Sequence, residues 1–116
     1  MIKIAIGGHL GVSYSIERVA GNTISYEVFD WGRRDRQTVA ITEEAVQQFE
    51  QTLMSLNVNY WQERYIDPRI YDGTSWTVKI KSGDVNIKSG GTNAYPDRFD
   101  EFCSAVETLL GGLPFR

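Results

Sequence analysis

The chain has 116 residues, 41% hydrophobic and 23% charged, with a formal net charge of −3, one histidine and one cysteine. That is enough for a single domain with its own core over residues 1–116, in ordinary globular composition rather than the polar usage of a disordered segment. The acidic balance disfavours general polyanion binding, a lone Cys103 excludes an internal disulfide or a cysteine zinc cluster, and no stretch approaches the ~20 apolar residues of a membrane span.

The opening run alternates Ile2, Ile4 and Ile6 with Lys3 and Ala5, which predicts a strand with one face on a core. It is not the unbroken apolar block of a signal peptide, so a cytoplasmic protein is expected. Gly7-Gly8-His9-Leu10-Gly11 follows. It lacks the Lys-Ser/Thr pair and the following helix of a phosphate loop, and reads as a glycine-rich turn. The single His9 has no evident nucleophile or carboxylate partner, so no catalytic role is assigned to it, and hydrolysis by Asp72 with His9 is the weakest reading.

Val12, Tyr14 and Ile16, then Ile24, Tyr26 and Val28, alternate on either side of Gly21-Asn22, the pattern of a hairpin. Trp31 to Arg36 reads as a polar turn before a short strand at Gln37 to Ile41. In that turn, Trp31, Arg33, Arg34 and Arg36 are the candidate anion or nucleic-acid contact, since guanidinium forks grip phosphate and an indole stacks on a base. Asp30 and Asp35 offset the arginines, so a solvated hairpin tip is the preferred reading and nucleic acid is not an expected partner.

Thr42 before Glu43-Glu44, with Val46, Phe49, Leu53 and Leu56 at helical spacing, predicts a capped helix over 43–56 that stops at Asn57. Asn59 to Tyr71 is too apolar for a linker but is interrupted by Pro68, and is expected to be a short helical turn or an irregular arm on the sheet. Asp72-Gly73 marks a turn. Trp76, Val78 and Ile80, a Gly83-Asp84 turn, then Val85 and Ile87 form the clearest hairpin in the chain. Residues 89–96 read as a loop, with Asp97 as N-cap of a last helix whose apolar face carries Phe99, Phe102, Cys103, Val106, Leu109 and Leu110. On that face Cys103 is expected to be a buried core residue. Gly111-Gly112 closes the helix.

The expected architecture is therefore α+β: an antiparallel sheet of about five or six strands, two hairpins plus the N-terminal strand, with two amphipathic helices on one face. The other face is expected to be open.

The arrangement of Trp61, Tyr65, Asp72-Gly73-Thr-Ser-Trp76 and Ser89-Gly-Gly-Thr-Asn93-Ala-Tyr95-Pro96 resembles a pattern in small uncharacterised bacterial and phage proteins, a DG-x-x-W strand followed by an SG-x-NAYP loop. The resemblance covers roughly residues 60–110, with an extra glycine at 90 or 91. It implies a bacterial or phage cytosolic origin and no activity. Trp61, Tyr65, Asp72, Trp76, Asn93 and Tyr95 are accordingly the candidate partner-binding residues, with a structural clasp between hairpin and helix as the competing role.

The residues able to do chemistry are few and scattered, so a nonenzymatic protein without cofactor or metal is expected. It would bind another macromolecule, as an inhibitor or immunity-type partner of a bacterial toxin, nuclease or defence complex. Acidic residues Glu63, Asp67, Asp72, Asp84, Asp97, Asp100 and Glu101 would cover a basic surface. The alternative is a small-ligand or nucleotide-binding module using the 89–96 loop. A homodimer through an unpaired strand edge is a further expectation.

Overall fold

A computed structural model describes residues 1–8, 11–69 and 73–116. Seven strands, β1 (Ile2–Gly8), β2 (Ser13–Arg18), β3 (Thr23–Asp30), β4 (Arg33–Ala40), β5 (Arg64–Ile66), β6 (Thr74–Ser82) and β7 (Val85–Thr92), form one sheet in the order β4-β3-β2-β1-β6-β7-β5. Every pairing is antiparallel except β5 with β7. Two helices, α1 (Glu43–Ser55) and α2 (Phe99–Leu109), complete an α+β domain.

Alternation decides which face they cover. Ile4 lies opposite both Ile16 and Val78, Ile16 opposite Tyr26, and Ile80 opposite both Ile2 and Ile87, so one face is a continuous apolar surface. Val46, Phe49 and Leu53 of α1 and Phe99, Phe102, Cys103, Val106 and Leu109 of α2 join that same buried cluster. Both helices therefore lie on one side of the sheet, and the other side is bare. After α2 the chain folds back, burying Phe115 beside Tyr14 with ring centroids 6.0 Å apart, while its amide donates to the Glu107 carboxylate. Among the described residues no helix is long and apolar enough to cross a membrane.

The first helix follows the sequence closely. Thr42 Oγ1 accepts from the Ala45 amide at 3.0 Å, and Asn57 takes a left-handed φ of 58° just past the end. At the end of α2 the Gly112 amide donates to Glu107 O and the Gly111 amide to Thr108 O, the paired bonds of a Schellman cap, with both glycines at positive φ.

Four expectations are corrected. Trp31-Gly32 alone makes the β3–β4 turn, with φ of 48° and 85°, the positive values of a two-residue hairpin loop whose twist matches the strands it joins. Arg33, Arg34 and Arg36 therefore lie in β4 rather than in a loop. Part of the Asn59–Tyr71 arm is a strand, β5, which adds to β7 in parallel; a 3-10 turn at Val58–Tyr60 precedes it. This makes seven strands where alternation predicted five or six.

Residues 89–92 are not loop but the end of β7, hydrogen-bonded on both sides. Two glycines make that possible. A Cβ on Gly91 would stand 2.5 Å from Tyr65 O, 2.7 Å from Trp76 Nε1 and 2.8 Å from Ala94 O, while one on Gly90 would meet Trp76 O at 3.0 Å. Finally, Asp97 does not cap α2. The residue before the helix is Arg98, in a left-handed conformation with φ of 64°, and its guanidinium reaches forward to Glu101 instead. The expected Asp72-Gly73 turn and His9 fall on residues outside those described, although Gly73 itself is described.

Candidate functional site

The aromatic residues singled out in the sequence do converge, but mostly inward. Trp76 is 2% exposed, and its ring meets Trp61, Tyr65, Tyr95 and Phe99 at centroid distances of 4.9 to 6.4 Å. Its Nε1 donates to Ala94 O at 2.9 Å, and Tyr95 stacks on it at an interplanar angle of 18°. The Asn93 amide donates to Thr74 O, and the Asn93 side chain occupies the space a Cβ on Gly73 would need. This is the geometry of a clasp joining the β6–β7 hairpin to α2. Tyr95 presents an exposed edge; Trp61 and Tyr65 are half-buried, and Asp72 is outside the described residues.

Beside Tyr95 a cleft of about 750 Å³ separates the ends of β1 and β2 from the start of α2. Four of the five charged groups lining it are matched: Arg98 holds Glu101 at 2.8 Å and Arg116 holds Asp100 at 3.1 Å, with Asp97 the fifth. Cys103 lines it, yet burial pushes the thiol up to about 11, far from the thiolate a nucleophile requires. Elsewhere Asp67 is lowered to about 2 by hydrogen bonds from Arg69. Among the described residues no three His, Cys, Asp or Glu side chains gather as metal ligands.

Of the arginine group, Trp31 stands 73% exposed at its hairpin tip, away from the core. Arg34 and Arg36 project to the bare side of the sheet, where both pair with Glu27, at 2.9 and 2.8 Å. Arg33 pairs with Asp35.

The sequence does not mark the bare face as a site, because its residues come from strands far apart in the chain. Cross-strand register assembles them in rows. One row reads Glu17, Lys3, Lys79, Lys88 across β2, β1, β6 and β7, so three lysines stand directly side by side. Neighbouring strands are about 4.8 Å apart, and like charges facing each other across them are destabilising. The next rows carry Ser15, Ala5 and Thr77, then Ser13, Gly7 and Ser75, a floor of small and hydroxylated residues. Gly7 is required there, since a Cβ would lie 2.1 Å from Ser13 Oγ.

Arg64 stands opposite Gly90, diagonal to Lys88, and Lys81 continues the basic strip along β6, with a hollow of about 530 Å³ lined by Lys3, Lys79, Lys88 and Arg64 together with the acidic Glu63. Among the described residues none of Lys3, Arg64, Lys79, Lys81 or Lys88 forms an ion pair.

The face carries seven cations (Lys3, Arg34, Arg36, Arg64, Lys79, Lys81, Lys88) and three carboxylates (Glu17, Glu27 and, at the hollow, Glu63), a net of +4. Since the whole chain carries −3, the rest of the molecule sums to −7. Comparison with protein-family models, with curated proteins and with solved structures finds no match to this chain.

Proposed function

We propose that this protein is a nonenzymatic binding domain that docks a macromolecule on the uncovered face of its sheet. The observation that carries the reading is the row Lys3-Lys79-Lys88, three adjacent cations that form no ion pair among the described residues, with Glu17 opposite Lys3 at one end. Repulsion of that kind lowers stability, and an anionic partner relieves it.

The inhibitor or immunity role, in which acidic residues cover a basic surface of a toxin, nuclease or defence complex, would use the other side of the molecule. Three of its expected acids are already held: Asp67 by Arg69, Asp100 by Arg116 and Glu101 by Arg98. Its support is the weaker for that. The small-ligand reading keeps only the cleft beside Tyr95 and Pro96, because 89–92 are strand and Trp76 is enclosed.

A pull-down from native lysate tests the proposal, comparing the wild type with Lys79→Glu/Lys88→Glu and with Asp97→Lys/Glu43→Lys. A stoichiometric protein or nucleic acid should be recovered by the wild type and by the acidic-side variant, and lost from the lysine variant. Recovery that is indifferent to the lysines but abolished on the acidic side favours the inhibitor reading. No retained macromolecule at any salt concentration removes both.

A further inference from the structure

Resting on the docking face just described, we infer that its occupant is single-stranded nucleic acid, with the phosphodiester run laid along the Lys3-Lys79-Lys88 row. Three properties of the face select that chemistry over an acidic protein. Five of its seven cations, Lys3, Lys79, Lys81, Lys88 and Arg64, form no ion pair among the described residues, and such groups contact phosphate oxygens in nucleic-acid complexes.

Its floor of Ser13, Ser15, Ser75 and Thr77 supplies hydroxyls, which also donate to phosphates and sugars, while Lys, Ser and Ala are the residue types that protein interfaces lack. The side chains large enough to form an apolar anchor stand at its borders. Phe29 is 40% exposed with the Arg34 guanidinium 5.9 Å from its ring centroid, and Ile66 flanks the opposite side. The Phe29 ring, two strands and two rows of register away from Lys3, and the Arg34 guanidinium provide a stacking surface at the far end of the face for an unpaired base, which a duplex does not offer. Because Lys3, Lys79 and Lys88 sit on adjacent strands, they span roughly 10 Å, the reach of two or three successive phosphates of an extended single strand.

Fluorescence anisotropy with a labelled oligothymidylate and oligouridylate, each of about 20 nucleotides, tests this on the full chain. Binding should weaken as salt rises, with a log–log slope of roughly −2 to −4 for three to five neutralised phosphates. Lys79→Glu/Lys88→Glu should weaken it at least about tenfold and flatten that slope, and Phe29→Ala should weaken it severalfold without changing the slope. Arg116→Gln, on the helix side of the sheet and engaged with Asp100 and Ser104 of α2, should leave it unchanged. Lys79→Gln serves as a milder change, and a melting curve on each variant shows that it is folded.

The inference is overturned if neither oligonucleotide binds at low salt, if the lysine variants bind as well as the wild type, or if polyglutamate, a blunt duplex or phosphatidylserine vesicles bind as tightly. Should the lysate partner be a protein that the lysine variant loses while oligonucleotides fail to bind, the inference falls and the docking face stands.

Discussion

Gly91 shows how a single position is fixed by its neighbours rather than by its own preference. Three atoms, Tyr65 O, Trp76 Nε1 and Ala94 O, close around the place of its missing Cβ, and none is the free end of a flexible side chain. Gly91→Ala should therefore lower stability by about 2 kcal/mol, through overpacking and disturbance of the Trp76–Ala94 hydrogen bond. Gly11→Ala, with nothing within 4 Å, is the control and should change little. Equal denaturant midpoints for the two variants would show that the clasp is not tight. Ser-Gly-Gly-Thr reads as a loop in the sequence because glycine is a turn residue; only the packing of β5 and Trp76 against both of its faces reveals why strand β7 needs it.

At the scale of elements, α1 and α2 begin by different means. Thr42 caps α1 through its hydroxyl, whereas α2 opens from a left-handed Arg98 without a side-chain cap. Thr42→Ala should cost about 1 kcal/mol. Asp97→Ala should cost well under half of that, since Asp97 contributes only its proximity to the helix dipole. Thermal unfolding of the two variants in parallel checks this, and a larger loss at Asp97 would restore it as the cap.

Pro96-Asp97 is a common start signal, but the backbone needs a sharp reversal between the clasp and the helix, and the turn at Arg98 supplies it one residue later. The same limit applies to β5. Three residues do not show a period, so Arg64–Ile66 acquires strand character only from its bonds to β7. The sheet's edges are guarded, with β5 short and β4 carrying Arg33, Arg34, Asp35 and Arg36, features that discourage edge-to-edge pairing.

Over the whole molecule the decisive feature is segregation of charge. A chain of net −3 holds +4 on one sheet face, so its total gives the wrong expectation for that face. Lys79 stands between two lysines, and Lys79→Glu turns two repulsive cross-strand pairs into attractive ones. It should raise stability by a few tenths of a kcal/mol at low salt, with the gain fading as salt screens it, while weakening binding. Chemical denaturation at two ionic strengths checks the sign. Destabilisation instead would mean that the lysine row is not under repulsion. A gain in stability coupled to a loss of binding is the signature expected where a surface is kept for function.

Locally encoded features were readable from the chain alone: period-two alternation in β1, β6 and β7, the apolar stripes of both helices, the cap at Thr42, the stop at Asn57 and the glycines after α2. Each depends on residues within a few positions of one another, and the underlying sterics and hydrogen bonds act at that range. Tertiary structure alone placed β1 between β2 and β6, more than 60 residues apart from the latter along the chain. That pairing sets Lys3 against Lys79 and leaves the opposite face to the core. Register between distant strands is fixed by burying the apolar face of each, and the polar face inherits whatever neighbours result.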